Sequence, residues 1–489
     1  MPGRPFEIIY APPSFFPTGL PPVSTSSSPS SLSVVTTPSS SVSVSDSMGS
    51  SPSVPNINLT DTLKEDIFTR RKNIFLSGQA GTGKSRLLKD IKIYAEETYH
   101  WKVAIVSTTG VSAISVGGTT IHSWSGIRLG TEPVDTIVKR IRYKNKECAE
   151  RWQACDLLLV DEVSMLGSKT FELISQVGCL IRRTPHHPFG GLQVVFTGDF
   201  LQLPPINDAY AFESSLWNEL EFNCVTLYHP YRFPDQSHFY MLTRIRLGTL
   251  LPSDIKRLKQ REEAYTKYLN TNQDEKEEIK PTKLHSLKRD VEFENHIELE
   301  KLPAPDRLYK CKDTYKRWDK TPLSEYEKKS YTDFLNSVVP AVLILKVGAQ
   351  VMLTYNLSIE MELVNGSRGV VKQCEEDGVR VLFRNGLIVK IPYHDYEFED
   401  GKAKYIRYQI PLILAWTLTI NKSQGSTLDY AIIDIGPSIF APSMAYVALS
   451  RVKTLQGLFI SSFSPEKIFC SESALSFEKK MNEEKVLIL

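Results

Sequence analysis

One short passage restricts the fold of this chain more than any other. Asn73-Ile74-Phe75-Leu76 is an apolar run of strand character, and it leads through Ser77 into Gly78-Gln79-Ala80-Gly81-Thr82-Gly83-Lys84-Ser85, which fits G-x-x-x-x-G-K-[ST] in full. A helix-like stretch opens at Lys84, so the pattern sits in the strand–turn–helix context that gives it meaning. Glycines there let the backbone curl until its N–H groups converge on phosphate oxygens. The N-terminus of the helix adds a partial positive charge. Lys84 supplies a point charge for β- and γ-phosphates, and the Ser85 hydroxyl is a candidate Mg²⁺ ligand.

The surrounding pattern repeats the same alternation. Val103-Ala104-Ile105-Val106, Leu157-Leu158-Leu159-Val160 and Gln193-Val194-Val195-Phe196 are further short apolar runs separated by helical segments. Such runs predict a parallel sheet covered on both faces. A second set follows, Ala431-Ile432-Ile433 and Gly457-Leu458-Phe459-Ile460. Between the sets, residues 350–410 are rich in β-formers and carry Asn365-Gly366, Asp377-Gly378 and Asn385-Gly386. Those dipeptides favour tight hairpins and predict a small β-barrel-like insertion. Residues 271–280 are strongly charged and read as an exposed loop. Residues 1–56 are a Ser/Pro/Thr/Val tract whose only charges are Arg4, Glu7 and Asp46; it cannot offset its ordering entropy and reads as a disordered tail.

Composition excludes several classes. Hydrophobic residues make up 41% and charged residues 23% of the 489, which rules out disorder of the whole chain. The formal net charge is +2, so any nucleic-acid partner must be met by local patches rather than a global field. None of the seven Cys forms a C-x-x-C pair, which argues against a zinc ribbon and for reduced thiols in an intracellular compartment. The longest apolar candidate, residues 338–353, is broken by Pro340, Lys346, Gly348 and Gln350, so no membrane partner is expected. The first thirty residues lack a basic region followed by an apolar one, so no secretory signal is visible. They are acid-poor and lead into a Ser-rich tract, but Arg4 is their only basic residue, which leaves a mitochondrial presequence with slight support.

Two further groups complete a candidate phosphate site. Asp161 and Glu162 follow the third apolar run, where open α/β sheets bind ligands at the carboxyl edge. Asp161 would hold Mg²⁺, and Glu162 would orient and deprotonate an attacking water. Gly198-Asp199-Phe200-Leu201-Gln202-Leu203-Pro204-Pro205 follows the fourth run. Gln202 could sense a γ-phosphate there, or the segment could be a plain strand-ending loop, since Pro204-Pro205 alone stops a strand.

Taken together, VDEVSML (160–166), PFGGLQ (188–193), GDFLQLPP (198–205), NKSQGSTLD (421–429) and YVALSR (446–451) resemble the PIF-type DNA helicases of the RecD-like branch of superfamily one. The resemblance runs from about residue 73 to 458, and 161–205 is its most specific part. It implies two RecA-like lobes with ATP and Mg²⁺ between them and 5′→3′ movement on single-stranded DNA, with Lys84, Asp161, Glu162 and Gln202 contributed by the first lobe. Arg451, and Arg232 in HPYRF, match arginines that the family sends across the cleft. Three residues depart from the family pattern. No Gln stands upstream of the P-loop between Asn58 and Lys72, Asp61 lying near its place; Phe233 replaces a Gln; Asn421 replaces a His. Adenine specificity is the property these departures put in question.

The resemblance also marks a DNA path. Thr109 and Gly110, and His122 after Gly117-Gly118-Thr119-Thr120-Ile121, fall in family segments that touch the strand, where hydroxyls and glycine N–H groups suit phosphate contacts. Trp124 reads as core. Thr419, Lys422, Ser423 and Gln424 would contact DNA from the second lobe and couple it to ATP. The basic run Lys139-Arg140-Ile141-Arg142-Tyr143-Lys144-Asn145-Lys146 reads equally as a solvated face or a junction contact.

The resulting expectation is an α/β chain: a disordered tail (1–56), a first lobe (57–235) with a small basic insertion (126–152), the start of a second lobe and linker (236–345), an SH3-like β insertion (346–408) and the rest of the second lobe (409–489). Its function would be ATP-dependent unwinding in DNA replication, repair, recombination or telomere maintenance. Single-stranded DNA and duplex junctions would be its partners, it would be a monomer when free, and it would work in the nucleus or at a site of viral DNA replication. A translocase that separates no strands, and a nucleotide-dependent scaffold, are the rivals.

Overall fold

Strands that are apolar on both faces need cover on both faces, and the first half of the chain supplies it. In the computed structural model, which describes residues 8–10, 59–128, 130–271, 279–317, 321–355, 357–358, 361, 363–399, 403–483 and 487–488, the strands Ile74–Gly78, Leu157–Asp161 and Gln193–Gly198 are buried along their whole length. They lie in a sheet ordered Leu487–Ile488, Asn223–Leu227, Ile74–Gly78, Gln193–Gly198, Leu157–Asp161, Val103–Ser107, Thr119–Thr120, and every pairing is parallel. The helix Lys84–Tyr99 covers one face with a stripe of Leu87, Leu88, Ile91 and Ala95. On the other face Phe75, Val160 and Phe196 pack with Phe171, Ile174 and Trp217.

The basic run does not project as a separate unit. It falls on the helices Val134–Lys144 and Lys146–Ala154, joined at Asn145, whose side chain caps the second. Ile137, Ile141 and Trp152 are buried in the first-lobe core, and Trp124 joins them as expected, its ring 4.6 Å from that of Trp152. Arg140 is held by Glu132 (2.6 Å) and by the Gly126 carbonyl (3.1 Å), whereas Tyr143 and Lys144 are exposed.

A second parallel sheet is ordered Thr417–Thr419, Thr282–His285, Ala431–Ile435, Leu458–Phe463. The helix Gln236–Arg246 packs on it through Phe239, Met241, Leu242 and Ile245. Between its strands lies an antiparallel unit. Its larger sheet is ordered Ile8–Tyr10, Leu387–Pro392, Gly378–Phe383, Arg368–Cys374, Gln350–Leu353, Leu412–Leu414. Asn385-Gly386 makes the expected turn, with Gly386 at φ +82° and its N–H donated to the Phe383 carbonyl.

Three expectations about boundaries change. Ile8–Tyr10, inside the tail read as disordered, pairs antiparallel with Leu387–Pro392, because Ile8, Ile9 and Tyr10 are an apolar triplet ahead of the Ser-rich tract. Residues 1–7 and 11–58, and most of the charged loop 271–280, lie outside the described residues. The β unit also reaches upstream of residue 346. Arg307–Lys310 pairs with Val342–Leu345, and Lys312–Arg317 pairs with Ala403–Gln409. The helix Glu325–Val338 covers this smaller sheet through Tyr331 and Leu335 against Tyr396, Phe398 and Tyr405. Polar, alternating strands such as KDTYKR carry no apolar run to announce them. Finally, the helix Glu472–Glu483 packs on the first lobe, not the second: Phe477 lies 4.3 Å from Phe212 and 5.3 Å from Phe200, ring to ring.

All seven cysteines are free thiols, and among the described residues no helix is long and apolar enough to cross a membrane. Trp152 is fully buried and donates its indole N–H to the Ser125 carbonyl at 3.1 Å. Trp152→Ala should cost about 3–5 kcal/mol of stability, read as a lower urea midpoint at unchanged m-value.

Candidate functional site

The loop after Ile74–Gly78 is shaped by backbone angles that side chains resist. Gly78, Gly81 and Gly83 have φ of +153°, +83° and +89°. Gly83 caps the helix Lys84–Tyr99 without a side chain, so the first helical N–H groups stay turned toward the loop. Lys84 is buried inside the curl and donates to the carbonyls of Gly78 (2.7 Å) and Gln79 (2.9 Å). Burial pushes its ammonium below the ordinary lysine pKa, while Asp199, Glu162 and Asp161 pull the other way. Two second-lobe side chains hold the loop from outside: the Ala80 N–H donates to the Tyr446 hydroxyl (3.0 Å), and the Thr243 hydroxyl donates to Gln79 Oε1 (3.1 Å).

The loop opens on a cleft of about 800 Å³ whose walls include Lys84, Ser85, Asp161, Glu162, Gln202, Arg232 and Arg451. These seven come from five separate stretches of the chain; the folding of two sheets brings them together. Asp161 ends the strand Leu157–Asp161 and is buried; burial, and then Glu162 beside it, push its carboxyl up to about 7, against the Ser85 hydroxyl and the Glu162 N–H (2.9 Å) that favour the ionised form. Glu162 takes a left-handed turn (φ +56°) that aims it away from the strand, and its Oε2 accepts a hydrogen bond from Gln424 Nε2 at 3.0 Å. Two adjacent carboxylates and a serine hydroxyl are hard oxygen donors that suit Mg²⁺. Among the described residues no three His, Cys, Asp or Glu gather into a cage.

Arg451 follows the second-lobe helix Met444–Leu449 and is buried, its Nε on the Val447 carbonyl (2.8 Å) and its Nη2 on the Ser450 hydroxyl (2.7 Å). Arg232 donates to the Ser450 carbonyl at 3.0 Å, and its N–H donates to the Gly81 carbonyl at 3.2 Å. Desolvation, and then Arg451 nearby, push Arg232 down to about 9. A cation whose charge is depressed by burial and by a neighbouring cation favours an anion beside it.

The profile of the PIF1-like helicase family matches residues 59–240, and that of the DNA helicase Pif1 2B domain matches 334–374. The crystal structure of Pif1 helicase from Candida albicans is similar at 30% identity and a TM-score of 0.69, over 87% of this chain and 100% of that one. The chain belongs to the PIF1-like helicase family. The ATP-dependent DNA helicase PIF1 of Danio rerio is 34% identical over 430 residues, 85% of this chain and 63% of the relative, so the chain spans less than two thirds of that protein's length. Pif1 from Bacteroides sp in complex with ADP-AlF4 is 27% identical with a TM-score of 0.70, over 88% of this chain and 98% of that one; a Bacteroides Pif1 bound to ssDNA gives 26% and 0.57 over the same shares.

The PIF1-type departures have structural counterparts. Asp61 is fully exposed and pairs with Lys64 (3.3 Å). Phe233 is buried and packs toward Gly81 and Phe239, an apolar anchor where the family has an amide. Asn421 is exposed and its carbonyl accepts from the Gln424 N–H.

The expected strand path is only partly on the surface. Thr109 is partly buried and its hydroxyl bonds that of Ser112 (2.8 Å); His122 is partly buried, and burial lowers its pKa. Gly110 lies under Val338: a Cβ built there would be 2.5 Å from it. Lys422 is exposed, but Thr419 and Ser423 are not. Thr419 caps the short helix Ile420–Ser423 and Ser423 bonds the Ile420 carbonyl, so their side chains shape the loop instead of facing a strand. Gln424 is turned to Glu162 rather than outward. Reading the sequence missed Thr243, Tyr446, Asp199 and Arg246. Tyr446 opens the quoted YVALSR and was available; Thr243 and Arg246 lie on an ordinary amphipathic helix that announces nothing.

A methyl group on Gly81 would sit 2.5 Å from the Arg232 Cβ at a φ that L-residues resist. Gly81→Ala should therefore weaken binding of a fluorescent ATP analogue by about ten-fold or more, a loss of at least ~1.4 kcal/mol, and should also lower the melting temperature, since the strain is in the folded state.

Proposed function

We propose that this chain is an ATP-dependent DNA helicase that moves 5′→3′ on single-stranded DNA and hydrolyses ATP in the cleft between its lobes. The observation that carries the reading is the meeting of Lys84, Asp161 and Glu162 from one sheet with Arg451 from the other in a single cleft. The residues Gly78, Gln79, Ala80, Gly81, Thr82, Gly83, Lys84 and Ser85 wrap the triphosphate, and Lys84 exchanges its two loop carbonyls for phosphate oxygens. Ser85 and Asp161 would hold Mg²⁺, which when bound offsets charge on the β- and γ-oxygens. Glu162 accepts the proton of the attacking water, and Gln202 contacts the γ-phosphate. Arg451 and Arg232 stabilise the charge that develops on the transferring group, worth ~10³–10⁵ in rate for such an arginine.

Gln424 links this chemistry to the strand. Its amide holds Glu162, and it shares a loop with exposed Lys422. A strand seated on Lys422, Thr109, Gly110 and His122 would pull on the same loop that aims the base. Hydrolysis then depends on the bound strand and on lobe closure, which is how a cleft becomes a motor. DNA replication, repair and recombination in the nucleus, or viral DNA replication, are the settings such a motor serves.

An unwinding assay on duplexes with 5′ or 3′ tails tests the whole reading. Strand release on the 5′-tailed substrate with ATP alone is the expected result; release without ATP, or ATP turnover indifferent to added oligonucleotide, would contradict it. Lys84→Ala and Arg451→Ala should each lower turnover by about 10³-fold or more with single-strand affinity within about two-fold of the unaltered chain. That affinity should fall linearly on a log–log plot against salt with slope about −0.7 per phosphate neutralised; a flat plot would remove the proposed path.

A further inference from the structure

Asp199 sits at a crossing that the mechanism above does not use. It follows the first-lobe strand Gln193–Gly198 directly and is fully buried. Its carbonyl accepts the Gln202 N–H (2.8 Å), its Oδ1 accepts the Leu201 N–H (3.1 Å), and its Oδ2 accepts Gln202 Nε2 (3.3 Å). The turn that carries Gln202 is therefore closed on Asp199 by both backbone and side chain. Asp199 in turn is gripped by Arg246: Nε lies 3.0 Å from both carboxylate oxygens and Nη2 lies 2.7 Å from Oδ1.

Arg246 belongs to the other lobe. It ends the helix Gln236–Arg246, whose Phe239, Met241, Leu242 and Ile245 are second-lobe core. Its Nη2 also donates to Glu478 (2.9 Å) on the helix Glu472–Glu483, which packs on the first lobe. The guanidinium thus comes from one lobe and both of its anions from the other. One turn earlier on the same helix face, Thr243 holds Gln79 of the P-loop. A single rigid helix therefore touches the phosphate loop and the Gln202 turn together.

We infer that Arg246 is a positioning residue for hydrolysis: by holding Asp199 it sets the amide of Gln202 in the cleft, and so makes that amide follow the second lobe. The inference rests on the reading of the cleft as an ATPase site. A planar guanidinium grips a carboxylate along two directions at once, and an ammonium cannot, so Arg246→Lys keeps the charge and loses the orientation.

The test is a double-mutant cycle on the full chain with saturating single-stranded oligonucleotide. Arg246→Lys should lower kcat for ATP about ten-fold, with KM for ATP and strand affinity changed less than about two-fold. In a Gln202→Ala background the same substitution should lower kcat less than about two-fold, since the group it acts through is gone. Asp199→Asn, which leaves Arg246 its bond to Glu478, should repeat both results, and it carries the test if Arg246→Lys lowers the melting temperature. A merely structural ion cluster predicts equal losses in both backgrounds, or a KM effect alone; either overturns the inference. An unaltered chain that hydrolyses no ATP overturns the reading of the cleft and this inference with it, whereas normal turnover with equal losses overturns the inference alone.

Discussion

Lys84, Arg232 and Arg451 face one cleft, and their charges cannot share a desolvated space without anions between them. Asp161 and Glu162 answer part of that demand, but they stand side by side, and their own repulsion helps keep the Asp161 carboxyl high. The cleft is therefore left with an uneven charge that a polyphosphate resolves. The same reasoning explains why the parts come from separate sheets. Cations delivered by one rigid body would repel permanently; delivered by two, they can be drawn together when the anion arrives and released when it is cleaved. The guanidinium hydrogen bonds of Arg451 to the Val447 carbonyl and the Ser450 hydroxyl keep it aimed in the meantime.

Gln424 ties Glu162 to the loop proposed to meet the strand, with its amide on the carboxylate and a backbone continuous with Lys422. Thr419 and Ser423 act one step back, because their hydroxyls fix the tight helix on which Lys422 and Gln424 are carried.

Residues with strong local chemistry were legible in the sequence, and residues whose role is purely relational were not. The P-loop, the Asp161-Glu162 pair and the apolar strands announce themselves, because glycine torsions, adjacent carboxylates and β-branched runs are local properties. Thr282–His285 was missed because TKLH has too few apolar residues to signal a buried strand, although its neighbours on both sides bury it. Arg246 and Thr243 were invisible for the same reason: a helix reads the same whether its arginine meets water or Asp199. The β unit was foreseen from its Asn-Gly turns, but its strand Lys312–Arg317 alternates polar residues and its extent could only emerge from the pairing.

These contacts also say where the molecule can bend. Separating Asp199 from Arg246 would leave a buried carboxylate unpaired, a cost of about 3–5 kcal/mol. Contacts between the β unit and the first lobe include the Ser123–Tyr405 hydroxyl pair at 3.2 Å and Val338 on Gly110. A hydrogen bond of that kind contributes only about 1 kcal/mol net. Beside it a cavity of about 480 Å³, walled by Lys102, Arg151 and Thr119 on one side and Glu397, Phe398 and Lys404 on the other, shows that the two surfaces are not closely packed. Since Gly110 lies on the expected strand path, Val338 and the helix Glu325–Val338 that carries it are what must yield for a strand to reach it.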